Sequence, residues 1–245
     1  HGINFIDTAE MYPFPAKEET SGKTESIIGN WLKKKKCREK IILATKVTGR
    51  NNLPWLGNNG NRLTRSRIES AIYGSLKRLK TDYIDLYQLH WPDRYTNIFG
   101  RLGYNPEPDP NFISIESQLE VLNDLVDAGK VRYIGVSNET PWGVMSFLRI
   151  SEIQGWPRMM VIQNPYSLLN RTFEVGLAEI VEREKCGLMA YSPLAFGLLT
   201  GKYNQDHAPE NTRITKYSNA SKRYTKPRGY RAAAVYLDLA QKHDL

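Results

Sequence analysis

Short apolar runs alternate with longer amphipathic stretches along most of the chain. The runs have the length and the β-branched and aromatic content that are typical of buried strands. They lie at residues 4–7, 41–47, 83–90, 132–137, 160–164 and 188–192. Because a helical stretch follows each run, the pattern predicts an α/β protein with a parallel sheet.

The expected helix boundaries are marked by capping residues. Apolar residues recur on one helix face after Thr64 and again after Ser114, and hydroxyl side chains of this kind accept hydrogen bonds from the first free amides of a helix. Gly129, Gly155 and Gly187 stand where a helix should end before the next strand. The chain therefore predicts well-defined helices between its strands.

Two architectures fit this alternation, an open doubly wound sheet and a closed barrel. An open sheet that binds a dinucleotide usually has a glycine-rich turn after its first strand, and here no glycine follows that strand until Gly22. In a barrel, polar residues at the carboxyl ends of the strands converge on one pocket. Such residues end every predicted strand: Asp7, Lys46, His90, Ser137, Asn138, Gln163, Asn164, Tyr191 and Ser192. The sequence therefore favours a (β/α)8 TIM barrel.

Only six of the eight strand units of a barrel are recognisable. The chain starts close to a strand-like run, and it stops at Leu245 while the amphipathic pattern of residues 231–243 is still running. We therefore expect a single barrel domain over residues 1–245 that lacks its first and last strand units.

The composition narrows the class of protein. Lys and Arg number 34 against 26 Asp and Glu, and the resulting charge of +8 favours anionic partners. No run approaches the roughly 20 apolar residues of a membrane-spanning helix. Cys37 and Cys186 are too few for a disulfide scaffold, and the four histidines show no ligand spacing for zinc. We expect a cytoplasmic protein without a bound metal.

Three ionisable residues interrupt apolar strands, namely Asp7, Lys46 and His90. Burying one charge alone is costly, but an aspartate and a lysine on neighbouring strands can pair. One such residue by itself would more often be structural. Three at equivalent strand ends, with Tyr12 close behind the first, favour a functional site.

These four side chains suit the protonation of an alkoxide. A tyrosine hydroxyl has an ordinary pKa of about 10, and a nearby ammonium group lowers that pKa. Tyr12 would donate the proton, with Lys46 held beside it by Asp7, and His90 would donate a hydrogen bond to a carbonyl oxygen. Because none of them supplies a hydride, the pattern predicts a reduced cofactor.

The residues that carry this constellation resemble the aldo-keto reductase family. Segments 2–12, 44–47, 86–92 and 129–138 look like the signatures of that family, in their usual order. Segments 136–140, 162–171 and 173–178 are similar to the bacterial Tas-like subgroup. The resemblance implies a (β/α)8 barrel and dependence on NADPH (NADP+). It also implies that Tyr12 is the general acid, that Lys46 and Asp7 tune it, and that His90 orients the carbonyl.

The same resemblance assigns positions to the cofactor. Ser137, Asn138 and Gln163 would hold the nicotinamide carboxamide, and Tyr191 would stack on the nicotinamide ring. A following loop would wrap the pyrophosphate, since glycines let backbone N–H groups approach phosphate. Its matching residues are Ser192, Pro193, Leu194, Gly197, Leu199, Gly201 and Lys202. The family element that binds the adenosine 2'-phosphate is absent from the chain, so the preference for NADPH is inferred from the resemblance.

Two long loops after strands, 49–62 and 93–112, are expected to shape the substrate pocket. Their aromatic residues suggest a partly aromatic wall for an apolar or aromatic carbonyl compound. The aromatic candidates, with the residue after His90, are Trp55, Trp91, Phe99 and Tyr104.

Two other functions compete with a reductase. The positive charge, with the lysine run 33–36 and the basic stretch 213–231, would suit a nucleic-acid binder, but the run lies at a predicted helix end and no nucleic-acid motif accompanies it. A regulatory module that binds NADPH and turns over slowly, as channel β subunits of this family do, would share the same residues. We expect a reductase with a small-molecule carbonyl substrate and neither a nucleic-acid nor a membrane partner. The sequence does not determine the oligomeric state.

Overall fold

Six strands follow one another in a single sheet, in the order of the sequence. The computed structural model describes residues 2–56, 61–99, 101–203, 209–217 and 222–245. The strands are β1 (Phe5–Asp7), β2 (Ile42–Val47), β3 (Ile84–Leu89), β4 (Val131–Ser137), β5 (Met159–Pro165) and β6 (Gly187–Tyr191). Neighbouring strands from β1 to β5 pair in parallel. All six predicted strands are confirmed, with ends that differ by at most one residue.

Helical segments separate consecutive strands, as the pattern predicted. The α-helices are α1 (Lys23–Lys35), α2 (Arg65–Leu79), α3 (Ile115–Asp127), α4 (Pro141–Gln154), α5 (Leu177–Glu184), α6 (Arg213–Lys216) and α7 (Pro227–Lys242). Short 3-10 helices occupy Glu18–Thr20, Arg38–Lys40, Thr172–Val175 and Ala195–Thr200. This α/β order is the one expected for part of a (β/α)8 barrel. That a barrel unit is missing at each end stays a prediction.

The contacts divide the chain into two compact units. The first unit comprises His1–Gln163 and Ile180–Leu188, and the second comprises Asn164–Glu179 and Met189–Leu245. The first unit holds β1 to β4, most of β5 and the start of β6. The single domain expected over residues 1–245 stays a prediction.

The predicted helix caps are largely confirmed. The side chains of Thr64 and Ser114 accept hydrogen bonds from amides in the first turns of α2 and α3. Gly155 ends α4 with a left-handed backbone at φ 68°, which glycine adopts without strain. The prediction for Gly187 is wrong, because α5 ends earlier and the exposed Lys185 takes the left-handed position at φ 54°. Gly187 instead begins β6.

Helix α2 buries its predicted apolar face against the sheet of the first unit. Ile68, Ile72 and Leu79 are fully buried, and Leu76 is 8% exposed. β2 and β3 are also buried along nearly their whole lengths, as expected for parallel strands covered by helices. Burial of each large apolar side chain stabilises the fold by roughly 1.5–3 kcal/mol. The core therefore fixes the strands whose carboxyl ends carry the candidate site.

Helices α1 and α2 pack closely where Gly29 faces the end of α2. A Cβ at residue 29 would lie 2.2 Å from the carbonyl oxygen of Arg78. Gly74 on α2 differs, because a Cβ there would first meet the guanidinium of Arg78, at 3.0 Å, and this end of a flexible side chain can move. Contact with the backbone of α2 therefore requires glycine at residue 29 but not at residue 74.

We predict that Gly29→Ala lowers the free energy of unfolding by about 1–3 kcal/mol, because the new methyl group forces the two helices apart. Gly74→Ala is the matched control and should be neutral or stabilising by up to about 1 kcal/mol, since alanine favours a helix over glycine. Denaturant unfolding of the purified protein measures both. Equal effects of the two substitutions would contradict the close packing described for Gly29.

Candidate active site

The ammonium group of Lys46 lies at the carboxyl end of β2 and is completely buried. Its Nζ donates hydrogen bonds to Asp7 Oδ2 at 2.6 Å and to the backbone carbonyl of Thr8 at 2.7 Å. The side chain of Asp7 is 27% exposed. The pairing expected between these neighbouring strands is therefore present, and it satisfies a charge that burial would otherwise make very costly.

Gln88 completes this group, although the sequence analysis did not identify it. The Cα of Gln88 is opposite that of Lys46 in the β2–β3 register, and its Nε2 donates to Asp7 Oδ1 at 3.2 Å. The signal was a buried amide two residues before His90, which places both side chains on the same face of β3. Asp7 thus accepts hydrogen bonds from β2 and from β3, which lies beyond β2 in the sheet.

Tyr12 and His90 lie beside this pair. The ring centroids of Tyr12 and His90 are 5.7 Å apart with the planes at 75°, and the Nζ of Lys46 is 5.3 Å from the centroid of the Tyr12 ring. The four residues that the sequence singled out for chemistry are therefore brought together within the first unit.

Burial sets the charge state of His90. The ring is buried, and this burial together with the positive charge of Lys46 holds the pKa of His90 well below 6.5. Its Nδ1 is buried without a hydrogen-bond partner in the described part of the chain. At neutral pH the imidazole is thus uncharged and can present one N–H as a donor.

Two opposing effects act on Lys46. Burial lowers its pKa below 10.5, whereas the charge of Asp7 and the hydrogen bond to it raise that pKa. Desolvation is the larger effect. Asp7 therefore stabilises the ammonium form in a place where the protein interior disfavours it.

A buried carboxylate supports the turn that carries Tyr12. Glu10 accepts a hydrogen bond from the backbone amide of Thr48 at 2.6 Å and pairs with the buried guanidinium of Arg67. The amide of Tyr12 donates to the carbonyl of Ala9 at 3.0 Å and closes the turn. Glu10 therefore ties the residues after β1 to β2 and α2. Its pairing with α2 was not apparent from the sequence.

The residues expected at the carboxamide lie at the ends of β4 and β5. Ser137 Oγ donates to the carbonyl of Gln163 at 2.8 Å. Asn138 Nδ2 donates to the carbonyl of His90 at 2.9 Å and to Ser137 Oγ at 3.1 Å. Asn138 has a left-handed backbone at φ 54°. These bonds connect the residues that are predicted to bind the carboxamide with His90, the predicted carbonyl orienter, in one network.

A second ion pair connects the loops at the carboxyl ends of β3 and β4, and the sequence analysis missed it. Arg94 Nη1 and Nη2 donate to the two carboxylate oxygens of Glu139 at 3.1 and 2.5 Å. Glu139 directly follows Asn138, and its side chain is 3% exposed. A Cβ at Gly143 would lie 2.1 Å from Glu139 Oε1, so a larger residue there would displace this carboxylate from its place in the ion pair. The pair connects the loop after His90 with the loop after Asn138.

Trp91 and Phe99 extend the aromatic group beyond His90. The ring centroid of Trp91 lies 4.9 Å from that of His90 and 5.3 Å from that of Phe99. Trp55 packs with Trp91 and Tyr12 around a small apolar cluster. Tyr104 is 67% exposed, and none of the ring contacts in the described residues includes it. Of the predicted loop 49–62, residues 57–60 lie outside the described residues.

Tyr191 belongs to the second unit, where Arg223 contacts it. Arg223 Nη1 donates to the hydroxyl of Tyr191 at 3.2 Å. Burial raises the pKa of Tyr191 above 10, and the charge of Arg223 opposes this rise. The predicted stacking residue is therefore fixed at its hydroxyl end.

The predicted phosphate loop contains several left-handed residues. Ser192, Ala195, Phe196, Gly197 and Gly201 all have positive φ values between 48° and 97°. Three of them are consecutive, and the amides of Ala195 and Gly197 donate to carbonyl oxygens of the same loop. That the loop holds a pyrophosphate stays a prediction. Exposed within this loop are Pro193 and Leu194, whereas Leu199 packs against the apolar core of the second unit.

Two cations flank this loop. A Cβ at Gly197 would lie 3.2 Å from the Cε of Lys202, so the lysine stem passes close to the turn. The guanidinium carbon of Arg213 lies 4.2 Å from the centroid of the Phe196 ring. Positive side chains beside a loop suit an anionic group such as a pyrophosphate. Residues 204–208 and 218–221 in and near the basic stretch lie outside the described residues.

None of the described helices combines the length and the apolar character that a membrane crossing requires. Within the same residues, no three His, Cys, Asp or Glu side chains converge as a metal site would need. His1 and His207 are outside the described ranges.

Comparisons with known proteins agree with the resemblance noted in the sequence. The family model described as "Aldo/keto reductase family" matches residues 1–245. Protein tas of Escherichia coli (strain K12) is 50% identical, with 100% of this chain and 70% of that protein covered. An aldo-keto reductase of Babesia bovis is 38% identical, with 83% of this chain and 76% of that protein covered. NADH-specific methylglyoxal reductase of Escherichia coli (strain K12) is 32% identical, with 88% of this chain and 60% of that protein covered. The chain therefore belongs to the aldo/keto reductase family.

Proposed function

We propose that the protein reduces an aldehyde or ketone with a hydride from NADPH, and that Tyr12 is the general acid. Membership of the family implies an oxidoreductase that acts on small molecules and uses NAD(P)H. The observation that carries the finer proposal is the fully buried ammonium of Lys46, bound to Asp7 and 5.3 Å from the ring centroid of Tyr12. A structural ion pair would not need a phenol and a neutral imidazole beside it.

Each side chain has a role in this proposal. A bound NADPH supplies the hydride that the protein lacks. His90 donates a hydrogen bond to the substrate carbonyl oxygen and stabilises the negative charge that develops there. Tyr12 transfers its proton to that oxygen, and the positive charge of Lys46 stabilises the phenolate that remains. Asp7 holds Lys46 in place and keeps it protonated.

Several features support a nicotinamide cofactor. The buried and unpartnered Nδ1 of His90 marks a polar position that the described residues do not satisfy. In the first unit, Ser137, Asn138 and Gln163 would hold the carboxamide. In the second unit, Tyr191 would stack on the nicotinamide ring, and the loop 192–202 would hold the pyrophosphate through its backbone amides and Lys202.

We predict that Tyr12→Phe lowers turnover by about a hundredfold or more, because the proton donor is lost while the ring and its packing remain. The dissociation constant for NADPH, measured by fluorescence titration, should stay nearly unchanged. Tyr73→Phe removes a hydroxyl from an exposed tyrosine on α2 and serves as the control. Wild-type turnover in the Tyr12 variant would remove this residue from the mechanism. If the wild-type protein binds NADPH but reduces no member of an aldehyde panel, the regulatory module becomes the better interpretation.

The buried neutral His90 should make stability depend on pH. In the unfolded chain His90 takes up a proton as the pH falls below about 6.5, whereas the folded protein resists it because its pKa is lowered. The free energy of unfolding should therefore fall with pH below 6.5. This His90 contribution is up to about 1.4 kcal/mol per pH unit until the folded pKa is reached.

The His90→Asn variant isolates this contribution. We predict that its free energy of unfolding, compared with wild type at pH 8 and pH 5.5, falls less over that range than the wild-type value. Urea unfolding at both pH values measures the difference, and His243→Asn controls for the loss of an exposed histidine. Parallel pH dependence in wild type and His90→Asn would show that His90 titrates normally in the folded protein.

NADPH is proposed over NADH, and the two cofactors can be compared directly. We predict that NADPH binds about tenfold or more tightly, since the net charge of +8 attracts its additional phosphate. Fluorescence titration with each cofactor at the same ionic strength gives the two dissociation constants. One relative is named NADH-specific methylglyoxal reductase, and tighter binding of NADH here would place the protein with that cofactor preference.

A further inference from the structure

Arg50 is attached to the aromatic group around His90. Its carbonyl oxygen accepts a hydrogen bond from Trp91 Nε1 at 2.7 Å, and the ring centroid of Trp91 is 4.9 Å from that of His90. The preceding Gly49 allows this approach, because a Cβ there would lie 2.2 Å from the carbonyl oxygen of Trp91. The loop after β2 is thus held against the residue next to the candidate carbonyl orienter.

The side chain of Arg50 is held over an aromatic ring. Its guanidinium carbon lies 3.4 Å from the ring centroid of Tyr95, in the loop that follows His90. An arginine over a ring face is oriented by the ring but does not use its N–H donors, which lie in the plane of the guanidinium. Both residues are half-buried. The donors of Arg50 are therefore oriented in advance for a planar acceptor.

The neighbouring arginines differ from Arg50 in their partners. Arg62 binds the carboxylates of Asp93 and Asp109, and Arg94 binds that of Glu139. Among the described residues no carboxylate lies within ion-pair distance of Arg50. Carboxylates thus neutralise Arg62 and Arg94, whereas Arg50, whose backbone is bonded to Trp91, has no carboxylate partner among the described residues.

We propose that Arg50 binds a carboxylate of the substrate, so that the substrate class is carbonyl compounds that carry a carboxylate group. A carboxylate is the planar anion that a guanidinium binds through two parallel hydrogen bonds. The proposal rests on the proposed reductase function. The carbonyl carbon receives the hydride, its oxygen receives the proton of Tyr12, and the carboxylate is unchanged, so the product is a hydroxy acid.

The aromatic side chains beside Arg50 determine the choice of probe. Trp91 and Phe99 pack against one another at 5.3 Å, next to His90. A benzene ring between carbonyl and carboxylate therefore suits this wall. The probes are 4-carboxybenzaldehyde and its methyl ester, methyl 4-formylbenzoate, which has the same reactive aldehyde and no charge.

The experiment compares kcat/KM for the two probes in wild type, Arg50→Gln and Arg101→Gln. We expect Arg50→Gln to lower kcat/KM for the carboxylate about tenfold or more, because a charge-assisted hydrogen bond is lost, and to leave the ester within about twofold. Arg101→Gln makes the same charge change in an exposed part of the loop after β3, and its ratio of the two values should equal that of wild type.

Two further variants distinguish the loss of a carboxylate contact from a general loss of folded protein. Arg50→Lys keeps the charge and should retain part of the preference for the carboxylate. Tyr95→Leu removes the ring beneath the guanidinium, and we expect it to reduce the preference without affecting the ester. An unchanged ratio in Arg50→Gln, or an equal loss for both probes, would overturn the proposal.

The outcomes separate this proposal from the one on which it rests. If the wild-type protein reduces neither probe nor any other aldehyde, the reductase function fails. If it reduces the ester at least as well as the carboxylate, and Arg50→Gln changes nothing, only the carboxylate site fails. The dissociation constant for NADPH should be the same in wild type and Arg50→Gln, and weaker binding in the variant would assign Arg50 to a cofactor phosphate instead.

Discussion

The candidate site depends on one requirement, the neutralisation of the buried ammonium of Lys46. A charge with no exposed surface is tolerated only when hydrogen bonds and an opposite charge replace water, and breaking such a pair costs about 3–5 kcal/mol. Asp7 and the carbonyl of Thr8 provide this replacement from β1. Both can do so because β1 and β2 are parallel, with Asp7 opposite Ala44. The sheet register thus places a cation beside Tyr12.

Buried carboxylates also pair with cations elsewhere in the first unit and connect its strands and loops. Asp85 binds Arg38, Arg132 and the amide of Leu43, and so joins β2, β3 and β4 near their amino ends. At the carboxyl ends, Glu10 and Glu139 fix the turns that precede Tyr12 and follow Asn138. Such pairs contribute little net stability compared with apolar packing, but they define one arrangement of loops. The residues of the candidate site are therefore positioned by ion pairs on either side of them.

The arginines in the loops after β2 and β3 differ in their partners. Carboxylates neutralise Arg62 and Arg94, whereas Arg50 lies over the ring of Tyr95 and has no carboxylate partner among the described residues. Burial and the charge of Lys46 both disfavour a second proton on His90. The proposed reduction uses these differences, since it assigns the charge of Arg50 to a substrate anion and the uncharged imidazole of His90 to a hydrogen bond with the carbonyl oxygen.

The sequence by itself determined the order of strands and helices, the first residues of α2 and α3, the family, and the group formed by Asp7, Tyr12, Lys46 and His90. The elements follow from hydrophobic periodicity, which is a local signal. The site residues follow from polar side chains at strand ends, because these ends align at one edge of a parallel sheet. Only the tertiary structure decided that Gln88 binds Asp7, that Arg94 clamps Glu139, and that Arg50 lies over Tyr95. These partners are distant in sequence and lie at a strand register or in irregular loops, where no periodic pattern specifies which side chains meet. The end of α5 could not be predicted for a similar reason. Lys185 takes the left-handed position expected for Gly187, because the last turn of a helix depends on how the next strand packs.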